Sequence, residues 1–543
     1  MNNNTFDVIL IGYGPVSESL ALMLSRQGRS VAIFERWTTR YRLPRAVCVD
    51  HELYRVLAAT GLREELPSLT HPGSLYQWFN AQWQELLVID WGKPAISGGP
   101  EINFVHQPTL ETALDEKVQA QPTVSLNLGW EAIEVTQDEN TAQVTLKSVE
   151  TGEVKQVSAR YIVGCDGANS LVRRSIGSQQ EDRGFQADWL VVDVLLKDGV
   201  TVEGLGIPEA GQYCNPDRPT TIVPAGVRDG KKFRRWEFMR LPGETVEDLE
   251  QESYVWKLLE AWAGPDEVEL VRHKVYNFRS LIADRWRDRR LMIAGDAAHV
   301  MPPFLGQGMC AGLRDSWNLA WKLGLILDGK ADDSLLDSYQ IERLPHVSQI
   351  IDMAIFLGKI ICIPDPEEAA NRDRLFLEGR APAMPPFPQL ISGLLRRDGE
   401  GQLQAGAGLL SPHSVIKQGS VISPLDEVTG AGSHFVIISR ALSAEKHLSD
   451  RDLLKLEELG VAFVNIDAPD GEPSWKDVDG RIHAFLDAQG WSAMIIRPDF
   501  YVFGGAVGAC DLPPLVEALF NELSSAGVKI DDRRPIAPRK ENA

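Results

Sequence analysis

The chain opens with apolar runs that stop at glycine, separated by an amphipathic stretch. Phe6-Asp7-Val8-Ile9-Leu10-Ile11 reads as a buried parallel strand ending at Gly12. A helix is predicted over 18–27, with Leu20, Ala21 and Leu24 on one face, and Gly28 ends it. Val31-Ala32-Ile33-Phe34 forms the next strand and stops at Glu35, completing a βαβ unit of roughly 30 residues. Two later runs have the same form: Tyr161-Ile162-Val163-Gly164 leads into Asp166, and Leu291-Met292-Ile293-Ala294 leads into Gly295-Asp296. Each strand ends in Gly/Asp chemistry, where an α/β sheet presents its ligand, so one nucleotide-binding domain is expected from three separated pieces.

The pattern changes over 186–277. Leu190-Val191-Val192-Asp193-Val194, Thr220-Thr221-Ile222-Val223 and Arg234-Arg235-Trp236-Glu237-Phe238-Met239 read as strands between Pro/Gly turns. They predict an inserted antiparallel sheet that roofs a pocket, with Tyr213, Trp236 and Phe238 as candidate walls; Trp236 and Phe238 share a face by alternation. A helix is expected over 308–327, with Leu313, Trp317, Ala320 and Trp321 facing the core. Pro364, Pro366 and the prolines of 382–388 read as a linker. Beyond it, Phe435-Val436-Ile437-Ile438, Val461-Ala462-Phe463-Val464, Ala493-Met494-Ile495-Ile496 and Phe500-Tyr501-Val502-Phe503 predict a separate small α/β domain. The expected division is 1–75, 98–185 and 278–390 for the nucleotide-binding domain, 76–97 and 186–277 for the sheet domain, and 400–535 for the last.

Composition narrows the function classes. A net charge of −21 over 543 residues repels nucleic acid and anionic membranes, so neither is expected as a partner. Six cysteines are scattered singly, which predicts no disulfide framework and no metal site. The apolar stretch over 350–363 carries Asp352 and Lys359 and reads as too short to span a bilayer. With no room for a leader before the first strand, the expectation is a soluble, cytoplasmic protein.

In Gly12-x-Gly14-Pro15-x-Ser17 the two glycines allow a tight turn and close approach of backbone to a pyrophosphate at a helix N-terminus. Glu35, about 20 residues on, is placed to accept from a ribose. Ser17 stands where a third glycine is usual. Asp166-Gly167-Ala168-Asn169-Ser170 follows a strand, where an aspartate alone could simply cap the next helix. Gly295-Asp296-Ala297-Ala298-His299 continues through Pro303 to Gly306-Gln307-Gly308-Met309, a turn whose helix N–H groups can stabilise negative charge on a reduced flavin.

Together these motifs resemble those of the class A flavoprotein aromatic hydroxylases, most closely the 3-(3-hydroxyphenyl)propionate hydroxylases and their phenol- and polyketide-hydroxylating relatives. Pro44-Arg45-Ala46, Cys214-Asn215-Pro216-Asp217-Arg218-Pro219, Leu241-Pro242-Gly243-Glu244 and Arg314-Asp315-Ser316-Trp317-Asn318 add to the likeness, which runs over nearly the whole chain. The resemblance implies an α/β fold: a Rossmann-like FAD domain, the inserted substrate sheet and a C-terminal thioredoxin-like domain without redox cysteines. Cys510, alone beyond the last strand, leaves that domain a packing or homodimer-supporting role. The cofactors implied are FAD and either NADPH or NADH, which visits the FAD domain surface. Gly12, Gly14, Pro15, Ser17, Glu35 and Arg36 would hold the ADP half, with Arg45 and Gln107 reaching the cofactor from neighbouring elements. Asp166, with Gly167 and Arg173, would serve FAD and the nicotinamide visitor. Gly295 and Asp296 would bind the ribityl or ribose hydroxyls, Pro303 and Gly306 would line the isoalloxazine, and Gly308 with Met309 would offer N–H groups to its pyrimidine edge.

The implied reaction is hydroxylation of a small phenolic substrate with O2 through a flavin C4a-hydroperoxide. A base that ionises the phenol would speed it; His299 is a candidate, and a structural histidine at a helix end fits the same position. Baeyer–Villiger oxidation or epoxidation of a polyketide-like substrate by the same flavin is the alternative enzyme reading. A non-catalytic escort-type relative of the fold is the alternative outside enzymes, and the run 295–309 speaks against it.

Overall fold

A computed structural model describes residues 5–40, 45–430 and 432–530. Pro44 and the end of the last expected domain lie outside the described residues.

The first sheet places Leu291–Ile293, Val154–Gly164, Thr5–Ile11, Val31–Glu35 and Val124–Leu128 side by side, all parallel. Its register is what matters for function. Ile11 pairs with Gly164 and with Phe34, and Gly164 pairs with Ile293, so three distant segments end on one line. Cys165 N–H donates to Ile11 O and Ala294 N–H to Gly164 O, stitching the strand ends together. The helix Pro15–Arg26 starts with proline at its first turn and ends against Gly28 in the left-handed region. It packs on the long central helix Gly308–Leu327, where a Cβ on Gly312 would sit 2.6 Å from Val16. The close approach of these two helices is made at Gly312, and Ser17 is fully buried in the first of them.

The second sheet has eight strands, centred on Gln180–Leu196 and Val268–Ala283. Both strands run through the boundaries expected near 185 and 278, so the sheet domain grows out of the first domain without a joint. Lys231–Met239, Thr220–Arg228 and Ala210–Tyr213 extend it antiparallel, and Leu75–Phe79 with Glu85–Asp90 close its edge.

Two expectations are corrected here. Pro366 does not sit in a linker: it opens the helix Pro366–Leu377 at its first turn, with Asp365 capping it, while Pro364 lies in the short connection before it. The apolar stretch near 350 is also not short. It belongs to the helix Asp337–Ile361, part of a segment long and apolar enough to cross a membrane by length and composition. That helix carries fully buried Glu342, Arg343 and His346, whose charged and polar partners lie in the protein.

The C-terminal unit holds a four-stranded mixed sheet in the order Ala462–Ile466, Val436–Arg440, Ala493–Ile496, Val502–Ala506. One side has its own core around Ile438, Leu486 and Met494. The other side, with Ile437, Phe500 and Phe503, merges into the core of the first domain.

Candidate active site

The line of strand ends gathers the three motifs. Gly12 has φ +96°, and a Cβ there would overlap the Cys165 carbonyl, so only glycine fits. No atom lies within 4 Å of a Cβ on Gly14, at the mouth of the first helix. Ser17 Oγ donates to Gly14 O at 3.0 Å and accepts from Gly14 N–H at 3.2 Å, holding the turn. Glu35 accepts from Tyr13 N–H and Trp37 N–H, one on each oxygen, and each oxygen keeps a lone pair. The Arg36 guanidinium lies over the Trp37 ring, 5.2 Å from its centroid.

Asp166 divides its oxygens between two tasks. Oδ2 accepts from Leu171 and Val172 N–H, capping the short helix Leu171–Ser175. Oδ1 is buried and has no hydrogen-bond partner among the described residues, and burial raises this carboxyl above its usual range. Arg173 spends its guanidinium on Ala297 O and Ala168 O, so it bridges two motif loops. Gly167 adopts φ +73° in open space, and Asp296 is exposed at the end of its strand.

Pro303–Leu305 forms a 3₁₀ turn that ends at Gly306, φ +65°, where a Cβ would lie 2.5 Å from Cys48 Sγ. The central helix then starts at Gly308 with no side-chain cap, and no atom is within 4 Å of a Cβ on that glycine. Its first N–H groups, from Gly308 and Met309 onward, are the unpaired groups every helix start carries. Gln307 is fixed behind them. Its Nε2 donates to Asp50 and its Oε1 accepts from Arg314, which also pairs with Asp50 at 2.5 Å and Glu52 at 2.7 Å. Burial opposes charge on Asp50, but Arg314 and His51 hold its carboxyl below the usual range.

Gln107 acts as a backbone clamp. Its Oε1 accepts from Arg45 and Ala46 N–H at 2.7 and 2.6 Å, and its Nε2 donates to Glu111. His299 lies away from any open surface. It is 1% exposed and paired with Asp315 at 2.6 Å, and Asp315 also takes Arg343. Its place is structural, and the catalytic expectation for it is withdrawn.

The expectation for Trp236 and Phe238 is corrected too. They do share a face, but it is the outer one, packed with Leu190, Val192, Val255 and Leu259. Tyr213 joins that side, stacked on Trp83 at 4.7 Å with its hydroxyl on Ala81 O. The inner face carries Trp189, Asp193, Arg235 and Glu237. Trp189 meets Phe304 of the 3₁₀ turn edge-on at 5.7 Å, and Arg235 Nη1 donates to Arg45 O at 2.7 Å. The lone charge Asp193 within the apolar run Leu190–Leu196 is the signal the sequence offers for this polar row.

These features fit FAD: a turn closed to side chains, an uncapped helix start, an orphaned carboxylate oxygen, and open space at Gly14 and Gly308. The model of the FAD binding domain family matches residues 5–354, and that of the HcaD C-terminal domain matches 408–522. The chain is 35% identical to the probable NADH-specific resorcinol 4-hydroxylase of Rhodococcus jostii strain RHA1, over 97% of this chain and 96% of that one. The chain belongs to the class A FAD-dependent aromatic hydroxylases. It is also 31% identical to the 3-(3-hydroxy-phenyl)propionate/3-hydroxycinnamic acid hydroxylase of Escherichia coli strain K12, over 96% and 95% of the two lengths. The crystal structure of the flavin-dependent monooxygenase PieE with FAD and substrate superposes with a TM-score of 0.79 at 22% identity, covering 96% of this chain and 99% of that one. This hydroxylase is thus an enzyme that uses FAD and NAD(P)H to oxygenate an aromatic substrate.

Proposed function

We propose that this enzyme adds one hydroxyl group to a small phenol of the resorcinol or 3-(3-hydroxyphenyl)propionate kind. The observation that carries this reading is the polar row Asp193–Arg235–Glu237 on the inner face of the sheet, the same face on which Trp189 packs against the turn that opens the central helix. Bound FAD, with electrons from NAD(P)H, would supply the chemistry that activates O2, and one oxygen atom of O2 would go to the ring while the other leaves as water. The Gly12–Gly14 turn and the helix start at Pro15 would receive its pyrophosphate. Glu35, Asp166 Oδ1 and Asp296 would accept from its sugar and ribityl hydroxyls. The N–H groups of Gly308 and Met309 would meet the edge where negative charge gathers. Gln107 and Arg235 hold the Arg45 backbone, from which its side chain would reach the cofactor. The inserted sheet keeps bulk water from the ring.

The C-terminal unit reads as a thioredoxin-like fold, supported by its central mixed sheet flanked by helices. Its single cysteine, Cys510, is free and gives it no disulfide chemistry. The same reading takes the enzyme as a cytoplasmic homodimer; six free cysteines suit a reducing compartment.

The test is direct. Purified protein should carry flavin absorbance and oxidise NADH or NADPH faster when resorcinol or 3-(3-hydroxyphenyl)propionate is added, with a product heavier by one oxygen. A colourless protein that takes up no FAD, or turnover that no phenol stimulates, would overturn the proposal. A lactone or ester product would replace it with Baeyer–Villiger chemistry.

A further inference from the structure

Glu237 is the unspent carboxylate of the inner face. It is 7% exposed, and its ion pair with Arg235 Nη1 is 3.7 Å long, beyond hydrogen-bond distance. Among the described residues nothing donates a hydrogen bond to it. Asp193, by contrast, is committed: Arg235 Nε and Nη2 bind its two oxygens at 2.6 and 3.1 Å.

The strand register fixes where Glu237 stands. Trp189 pairs with Met239, Val191 with Glu237 and Asp193 with Arg235. Same-face neighbours along a strand are about 7 Å apart. Glu237 therefore lies one step from the row that packs on Phe304 and one step from the row that grips the Arg45 carbonyl. Both rows are anchors of the sheet to the flavin domain, and Glu237 is suspended between them. Its field reaches the Cys48 thiol and the Tyr76 hydroxyl, and Cys48 underlies Gly306.

We propose that Glu237 is the base that accepts the phenolic proton of the substrate. The inference rests on the phenol hydroxylation proposed above. The phenol O–H bond breaks, its electron pair stays on the oxygen and spreads into the ring, and the proton forms a new O–H bond on the Glu237 carboxylate. The ring becomes electron-rich where it is attacked. The fixed guanidinium of Arg235 lies beside the negative charge this leaves.

The surroundings suit that role. Burial raises the Glu237 carboxyl above its ordinary range; Arg235 and Arg272 pull it down, and Asp193 pushes it up. A base whose pKa moves toward neutral pH is the more effective one. The other titratable groups in reach do not compete. Burial pushes the Cys48 thiol up to about 12 and raises the Tyr76 hydroxyl further, so both stay protonated.

The test uses the full-length, FAD-loaded enzyme and Glu237→Gln. Turnover with the best phenol of the panel is measured against pH, and 4-nitrophenol serves as an optical probe of ionisation in the site. The wild type should lose rate at acid pH through one group and bind 4-nitrophenol as its phenolate below that phenol's solution pKa. Glu237→Gln should lose the acidic limb, fall roughly 10²-fold in rate, and bind the probe as neutral phenol. An unchanged limb and an unchanged phenolate band would overturn the assignment. If Glu237→Gln does not hold FAD, Glu237→Asp decides. Drawing the carboxyl back by one methylene shifts the acidic limb if Glu237 sets it and leaves the limb in place if it does not. Wild-type enzyme inert toward every phenol defeats the proposed function itself, whereas active wild type with an indifferent Glu237→Gln defeats only this inference.

Discussion

Tyr501 of the C-terminal unit donates its phenolic hydroxyl to Glu52 of the first domain at 2.9 Å, across 449 positions of sequence. Glu52 also holds Arg314, Arg314 holds Gln307, and Gln307 precedes the helix start that would meet the flavin. Tyr501→Phe removes one buried hydrogen bond to a charged group, about 1.5–3 kcal/mol. The expected outcome is a lower melting temperature together with faster FAD release, read from the fluorescence of freed flavin. Equal values for both proteins would reduce Tyr501 to packing.

Gly12→Ala should abolish FAD uptake. The positive φ and the overlap with the Cys165 carbonyl act together, and neither neighbouring strand can move without breaking the sheet. The ratio of flavin to protein absorbance after purification checks this, and a variant as yellow as the wild type would contradict it.

Asp166→Asn separates the two tasks of that side chain. An asparagine oxygen can still cap Leu171–Ser175, so the melting temperature of the apoprotein should hardly move. The charged acceptor at the ligand side is lost, and the dissociation constant for FAD should rise about tenfold, equivalent to about 1.4 kcal/mol. Titrating apoprotein with FAD gives that constant.

Acid should loosen the C-terminal unit first. Burial raises the Asp426 carboxyl, but Arg55 and His413 outweigh it and hold the group well below its usual range. The folded pKa is depressed, so its contribution is present above the unfolded value of about 3.9 and is lost as pH falls through the folded one. At pH 7, Asp426→Asn leaves Arg55 buried without its counterion and should cost about 3–5 kcal/mol. The gap in melting temperature between wild type and variant should narrow only below about pH 4. A gap that closes already between pH 5 and 7 would exclude this pair as the cause.

Phe238→Leu tests the corrected face of the sheet. The side chain is 1% exposed and packs on the helix side, so the variant should lose about 1 kcal/mol of stability. KM for the phenol should stay within a factor of two, a limit of about 0.4 kcal/mol. A large change in KM with unaltered stability would return Phe238 to the pocket.

Much of this was legible in the sequence, because strand ends that bind nucleotides carry their glycines and aspartates in contiguous runs. Gly12–Ser17, Asp166–Gly167 and Gly295–Asp296 mark the strand ends that the register brings onto one line. Alternation showed that Trp236 and Phe238 share a face, but period two cannot say which face turns inward. The aromatic pair reads as pocket wall, whereas Arg235 and Glu237, which alternate with it, are the side chains that turn inward. Tyr501 for Glu52, Asp426 for Arg55 and Arg497 for Glu342 are partners 449, 371 and 155 positions away, and no local spacing announces them. Pro366 looked like a breaker because a first-turn proline and a linker proline are the same letter.

The buried pairs Arg55–Asp426 and Glu342–Arg497 have a practical consequence for anyone rebuilding this enzyme. Arg55 finds its carboxylate in the last segment, and Glu342 and Arg497 each pair across the seam as well as with Lys322 and Asp499 on their own sides. Cutting near 400 would leave a flavin domain with Arg55 buried without its counterion and Glu342 without its arginine. A transplant of the last segment from a relative would succeed only if that relative presents the same aspartate, arginine and tyrosine at the seam. The two parts must therefore be exchanged, evolved or redesigned as one heritable piece.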